Sequence, residues 1–274
     1  TVAVRRIGST DIACDGLYMG ALDPKRQATY AGWQGAFFNA SKFLTGGGLR
    51  GLAGQLETRL GVFNAWSVIF GLLAALLTAL AAWNASFLPN PQRTSTEPVK
   101  LADVLTEFLK KPGIWKMLVF IVVFRLAEGQ VQTIGPLFLV EARDKGGLGL
   151  TSEQVGGAYG TIGTAAFLFG SILGGYFTSW LSLRRAMPVL VIAMAVPNMV
   201  FWALSVALPA SLWAISMAVG LEMLAYGFGF VGMVLFIMQA VAPGRFPTAH
   251  YALGSGVMQL GFVLAKFISG DIQV

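Results

Sequence analysis

Charge is scarce in this sequence: 19 basic and 13 acidic residues among 274, or 12%, against 55% hydrophobic residues. Soluble domains carry about twice that fraction of charge, so a water-facing surface over a chain of this length is excluded. The chain is read as dissolved in lipid. Histidine occurs once, at His250, which excludes a histidine-based triad and a multi-histidine metal site. Cysteine also occurs once, at Cys14, so no internal disulfide forms and the redox compartment cannot be read. No glycine-rich loop ends in Gly-Lys-Ser/Thr, which argues against ATP-driven pumping. The net charge of +6 comes without a basic stripe interleaved with aromatics, so a nucleic-acid partner is excluded as well. Neither an enzyme nor a resident cofactor or metal is expected. Thr1 is not an initiator Met and no signal peptide follows it, so the sequence reads as an internal piece of something longer.

What the sequence does have is long apolar runs. A membrane span needs about 20 mostly apolar residues, and about eight stretches qualify: 7–22, 31–55, 62–87, 115–140, 155–181, 187–207, 211–241 and 249–270. No charge interrupts Leu60 to Gln92 or Ala186 to Leu221, and "LPAS" at 208–211 is the expected hairpin dividing the second of these runs. If 7–22 runs from outside to inside, Lys25, Arg26, Arg93, Lys100, Lys110, Lys111, Arg184, Arg185 and Arg245 all fall in cytoplasmic loops. The outer loops keep Arg59, Arg143 and Lys145, with Glu57, Glu141 and Asp144 beside them. That asymmetry obeys the positive-inside rule, and the inverted topology violates it. Arg5 and Arg6 are the exception, at the start of the sequence.

One long polar interruption, 89–113, opens with three prolines and a Ser/Thr cluster. Within it "VKLADVLTEFL" has helical spacing, with Val99, Leu101, Val104, Leu105 and Phe108 on one side. It is read as a cytoplasmic linker helix lying against the membrane. Glycines cluster in "GGLRG" (47–51), "GGAYGTIG" (156–163) and "GSILG" (170–174), spacings that let helix backbones approach closely. Ordinary helix packing accounts for them better than a ligand does.

The remaining charges lie inside the spans. In "VFRLAEGQVQTIGPLFL" (123–139), Arg125 and Glu128 are three apart and share a helix face. Asp11 and Asp15 are four apart, Lys42 sits near the middle of its run, and Glu222 has no cation within four residues. Arg50, near the outer end of its run, is read as snorkelling toward an interface, whereas Lys266 fits snorkelling or a buried role alike. Asn39, Gln130, Gln132, Asn198, Gln239 and Gln259 add neutral polar groups. Facing lipid, several such charges would cost on the order of 10 kcal/mol, so they must pair, neutralise or line a wet interior. Arg125 with Glu128 reads either as a structural pair or as part of a site. A carboxyl at membrane depth without a near cation, as at Glu222, is a candidate proton carrier. His250, in "FPTAHYAL", is assigned a plain surface role at the start of a helix.

The segments "STDIACDGLYMGALD", "LKKPGIWKMLVFIVVFRLAEGQVQTIGPLFL", "LTSEQVGGAYGTIGTAAFLFGSILGGYFTSWLSLRRAM" and "LEMLAYGFGFVGMVLFIMQAVAPGRFPTAHYALGSGVMQLG", in that order, resemble the major facilitator superfamily. Within it they look most like muropeptide permeases of the AmpG type and their peptide–acetyl-coenzyme A transporter relatives. The resemblance implies the fourth to eleventh helices of a twelve-helix transporter. The domains would be the remainder of the N-terminal bundle (1–88), a cytoplasmic linker (89–113) and a C-terminal bundle lacking its last helix (114–274). Asp11 and Asp15 match the paired aspartates of the fourth helix, Arg125 and Glu128 a basic–acidic pair of the seventh, and Glu222 an acidic position of the tenth. The family's loop signature is eroded: Gly175, Arg184 and Arg185 fit, but Ser179 and Trp180 stand where Asp-Arg is usual.

The expectation is therefore an all-α polytopic membrane protein in which two bundles rock about a midplane site. It would reside in the bacterial inner membrane, most simply as a monomer, and import cell-wall anhydromuropeptides with protons. Arg125 and Lys42 would hold cargo carboxylates, and Glu128 and Glu222 would carry the proton. Asp11, Asp15 and Gln132 complete the candidate site, with Trp33, Tyr159, Trp202 and Tyr226 available to stack on sugar rings, although membrane-interface anchoring is the default reading of Trp33 and Trp202. Another organic solute, such as a siderophore or an acyl-coenzyme A, and a non-transporting membrane scaffold are the alternatives.

Overall fold

The computed structural model describes residues 14–87 and 100–272, in which helices joined by turns and short loops occur and no strand does. The chain opens with α1 (14–21), and Asp23 then caps α2 (Pro24–Phe43), its carboxylate accepting the backbone N–H groups of Lys25 and Arg26 at 3.0 Å each. These bonds, the one from Arg26 first, hold the Asp23 pKa below its ordinary 3.8. A π-helical turn (Leu44–Leu49) leads into α3 (Arg50–Leu60), and α4 (Val62–Phe87) follows. Beyond the undescribed stretch come α5 (Leu101–Lys110), α6 (Ile114–Val140) and α7 (Ser152–Gly157), the last started by a capping box of Thr151 and Gln154. A second π-helical segment (Ala158–Gly163) joins α7 to α8 (Thr164–Leu181). Then come α9 (Leu183–Ala193), α10 (Val196–Ala207) and α11 (Leu212–Phe236) with a π-helical extension (Ile237–Val241), and finally α12 (Pro247–Ile272).

Six helical stretches among the described residues are long and apolar enough to cross a membrane: Val62–Phe87, Ile114–Val140, Ser152–Leu181, Leu183–Ala207, Leu212–Val241 and Pro247–Ser269. Each matches an expected span to within a few residues. The two other expected spans behave differently. Residue 7 to residue 13 lie outside the described part, and 31–55 is interrupted at Leu44–Leu49, with α3 running on to Leu60.

The described residues form two compact units, one of residues up to 37 together with those from 97 onward, the other of residues 38–96. In the smaller unit α3 packs on α4, where the Trp66 Nε1–H donates to Glu57 at 2.8 Å. In the larger unit the glycines do what close helix contact demands. A Cβ on Gly170 or Gly174 would run into the α11 backbone at Leu224 or Phe228, and one on Gly175 would lie 2.8 Å from the Ala28 carbonyl of α2. The signature glycine Gly175 is thus the point where α8 meets α2, and Gly32 answers it from the α2 side.

Loop contacts sort the helix ends of the larger unit into two sets. At one end the Arg143 guanidinium donates to the Leu208 and Pro209 carbonyls at 3.1 and 2.6 Å, and Ser211 caps α11. At the other, the Gln239 amide donates to the Pro24 carbonyl at 2.9 Å, and the Lys111 ammonium to the carbonyls of Val241, Ala242 and Pro243 at 2.6, 3.2 and 2.7 Å. This is the alternation that the charge pattern requires, with Lys25, Lys110, Lys111 and Arg245 at one end and Arg143 and Lys145 at the other.

Helix α5 forms where its spacing places it, with Val99 of the expected stripe outside the described residues, but half of the described stripe faces protein. Val104 and Phe108 are buried, while Leu101 is 70% exposed and Leu105 and Leu109 are also exposed. The Phe108 ring lies tilted against that of His250, their centres 5.5 Å apart, and Glu107 accepts the Arg245 backbone N–H at 2.9 Å. The surface role assigned to His250 is therefore wrong: the ring is fully buried between Phe108 and Phe246. The outward faces of the spans carry Trp115, Val119, Phe169, Ile192, Trp202 and Trp213, each more than half exposed. Such a surface is stable only against lipid.

Candidate functional site

Two stripes meet inside the larger unit. On α6, Arg125, Glu128 and Gln132 follow one another at three- and four-residue spacing; on α11, Glu222, Tyr226 and Phe230 repeat every four. Helix α12 closes over the first stripe because Gly129 and Gly261 let it approach. A Cβ on Gly261 would sit 3.1 Å from that of Arg125, and one on Gly129 would collide with Ala265. The Gln130 amide fastens the same crossing by donating to the Ala265 carbonyl at 3.0 Å.

Arg125 and Glu128 form a direct ion pair, each 5% exposed. The guanidinium is also held between two aromatic faces, 4.5 Å from the Phe262 ring centre and 5.5 Å from that of Phe230. Its Nε has no hydrogen-bond partner. The Glu128 carboxylate accepts from the Gln132 amide at 3.3 Å, and the Tyr226 hydroxyl is hydrogen-bonded to both Glu128 and Gln132. Glu222 is 2% exposed; Tyr159 hydrogen-bonds to it, and its Oε2 has no partner.

Glu128, Gln132, Glu222 and Tyr226 line one cavity together with Val131, Met194 and Pro197. Its volume is about 10 Å³, room for about one water molecule and for no larger solute. The backbone around it is irregular on two sides. Tyr159 comes from the π-helical segment Ala158–Gly163, and Met194 lies at the break between α9 and α10, just before Pro197. Single-turn π segments gather at functional sites, and broken helices at membrane depth are tolerated where they line an interior.

The structure thus brings Arg125, Glu128, Gln132 and Glu222 together. It does not add Asp15, whose carboxylate accepts from the Gln34 amide of α2 at 3.2 Å. Lys42 belongs to the smaller unit, where its exposed ammonium lies 4.2 Å over the Phe38 ring, and Asp11 lies outside the described residues. Lys266 is exposed, over Phe262 at 4.7 Å. Of the four aromatics named for stacking, Trp33 and Trp202 are exposed, whereas Tyr159 and Tyr226 spend their hydroxyls on the two glutamates. That second pair of roles is the part the sequence reading missed. The signal was present in the one-turn spacing of Glu222 and Tyr226.

The model of the Major Facilitator Superfamily matches residues 8–270. Two curated relatives match as well, the anhydromuropeptide permeases of Escherichia coli K12 and of Escherichia coli O157:H7, each 27% identical over 211 residues. The match takes in 75% of this chain and 41% of the relative, so the chain spans well under two thirds of the length of these permeases. With a buried polar cluster, six apolar helices and a family match over nearly its whole length, this multi-pass membrane chain belongs to the Major Facilitator Superfamily.

Proposed function

We propose that the chain is part of a secondary active transporter that imports anhydromuropeptides, or closely related sugar-peptide solutes, across the bacterial inner membrane, driven by protons. In this reading residues 1–88 and 114–274 belong to two bundles that move against each other about the site, with 89–113 as the linker. Arg125 binds a cargo carboxylate, Glu128 and Glu222 carry the coupling proton, and Gln132 orients Glu128. Asp11, Asp15 and Lys42 join the path from the other bundle.

The observation that carries the reading is the cluster itself: two nearly dry carboxyls, one of them paired with a buried guanidinium, on the wall of a cavity that is too small for cargo and must open to admit it. The similarity to anhydromuropeptide permeases supplies the cargo class. A scaffold would need one matched pair and has no use for a second, unpaired acid.

The test is uptake of labelled anhydromuropeptide by the full-length protein in proteoliposomes, with and without an inward proton gradient. Gradient-driven accumulation that Glu222→Gln abolishes is the expected result. Folded protein that takes up no more than protein-free vesicles would refute the cargo assignment and turn attention to siderophores and acyl-coenzyme A.

A further inference from the structure

Glu222 is held by a side chain from an irregular stretch of backbone. Tyr159 lies in the π-helical segment Ala158–Gly163, and its hydroxyl donates to the Glu222 carboxylate. Two glycines seat that segment against α11. A Cβ on Gly220 would lie 2.9 Å from the Ile162 side chain, and one on Gly163 would lie 3.1 Å from Met223 and 3.6 Å from the Tyr159 ring. Gly220 and Met223 flank Glu222 in the chain, so the segment packs on α11 where the acid stands.

The π turn is itself fastened. The Tyr159 carbonyl accepts the backbone N–H of Thr164, five residues on, and the Thr164 hydroxyl as well at 3.1 Å. Closure over five residues is the π spacing, whereas an α turn would pair Thr164 with Gly160. Serine and threonine hydroxyls inside helices ordinarily return to the carbonyl three or four residues back, as that of Thr161 does to Gly157. Thr164 reaches one residue further and so adds a bond that the π turn alone provides. Loss of that extra residue of register would turn Tyr159 by about 100° around the helix, away from Glu222.

Among the described residues, the other titratable groups on the cavity wall with Glu222 are Glu128 and Tyr226, while Val131, Met194 and Pro197 carry no charge. Tyr159 engages one carboxyl oxygen of Glu222, and Oε2 has no partner. Resting on the proton-coupled reading above, we propose that Tyr159 is the positioning residue of the proton site: it fixes the Glu222 carboxyl so that Oε2 is the atom that takes the proton, and Thr164 holds Tyr159 in place through the π turn. On loading, a hydronium ion gives its proton to Oε2 and is left as water, for which the cavity has room, and the carboxylate becomes the acid. Tyr159 stays a phenol throughout, and Thr164 acts on the site through the Tyr159 carbonyl alone.

Infrared difference spectra of the full-length protein in lipid vesicles, taken on acidification, read the site without cargo. The carbonyl band of protonated Glu222 is the one that Glu222→Gln removes. Tyr159→Phe should move it to higher wavenumber, because the carbonyl oxygen loses its donor. Thr164→Val should move it the same way by less, and Thr164→Ser, which keeps the hydroxyl, should leave it in place. A band that ignores Tyr159→Phe overturns the positioning role, and one that responds to Tyr159→Phe but not to Thr164→Val overturns the part given to the π turn. If wild-type protein shows no band that depends on Glu222, the proton-coupled reading itself falls, and the positioning role with it. In proteoliposomes Tyr159→Phe should lower gradient-driven accumulation about tenfold to a hundredfold, the range for one hydrogen bond to a charged group, and Thr164→Val about two- to tenfold, the range for a neutral one. The KM for anhydromuropeptide in exchange at equal pH should stay within about twofold of wild type, because neither residue touches cargo. Equal loss of accumulation and of cargo affinity would place Tyr159 in the cargo site and overturn the proposal.

Discussion

The Arg125–Glu128 pair makes an asymmetric prediction about stability. Breaking a buried ion pair by removing one partner costs about 3–5 kcal/mol, because the survivor is left as an uncompensated charge. The two survivors here are not equivalent. Arg125→Met leaves a carboxylate that retains Gln132 and Tyr226 as hydrogen-bond partners and can also take up a proton. Glu128→Leu leaves a guanidinium that cannot lose its charge and keeps only the faces of Phe230 and Phe262, worth about 2 kcal/mol when desolvated. Arg125→Met should therefore cost about 2–3 kcal/mol, at or just below the lower end of the range for broken pairs, and Glu128→Leu about 4 kcal/mol, inside it.

The double replacement removes both charges and fills the same space with apolar atoms, so it should cost about 1 kcal/mol or less. The sum of the singles would then overshoot the double by at least about 5 kcal/mol, the signature of two residues acting as one unit. Unfolding in detergent, followed by tryptophan fluorescence, measures all three variants against wild type. Additive singles, or a larger cost for Arg125→Met than for Glu128→Leu, would refute the argument from uncompensated charge. A double variant that is folded and stable yet transports nothing would separate the pair's contribution to function from its contribution to folding.

Other features give simpler tests. Lys111→Met strips three carbonyls at the end of α11's extension of their ammonium donor and should cost about 2 kcal/mol, one net charged hydrogen bond, with faster hydrogen exchange in 101–110 as the local readout. Gly129→Leu drives a side chain into Ala265 and Phe262 and should destabilise the α6–α12 crossing by about 1–3 kcal/mol, whereas Gly156→Ala, where nothing lies within 4 Å, should be close to neutral in the same thermal assay. Because the Asp23 pKa is lowered in the folded chain, its capping contribution is fully present above the ordinary carboxyl value and is lost as pH falls through the lowered one. Hydrogen exchange in the first turn of α2 should therefore rise in acid, and Asp23→Ala should abolish that dependence.

What the sequence made legible depended on the range over which each signal acts. The six apolar runs at Val62–Phe87, Ile114–Val140, Ser152–Leu181, Leu183–Ala207, Leu212–Val241 and Pro247–Ser269 were readable because lipid imposes a fixed length on any span that crosses it. The pairing of Arg125 with Glu128 was readable because three residues of helix bring the two side chains together whatever else the fold does. Two things were hidden because they depend on partners distant in sequence. His250 looked like a surface residue from its place at the start of a helix, yet Phe108, more than a hundred residues earlier, lies against its ring. The interruption at Leu44–Leu49 and the π turn under Tyr159 leave no mark on an apolar count, since π and α turns use the same residue types.

The case of Glu222 lies between these limits. Its lack of a local cation was visible in the sequence and remains true in space, where its second oxygen still has no partner. Its place on the wall of the same cavity as Glu128 was not visible, because the two residues lie on different helices far apart in sequence. A structural acid would have been matched with a cation during folding, as Glu128 was. One left at 2% exposure beside a matched pair costs stability at every moment the protein is folded. On the proton-coupled reading proposed above, that cost persists because the unpaired state is one stage of a cycle, and Glu222→Gln should then abolish accumulation while leaving the protein folded.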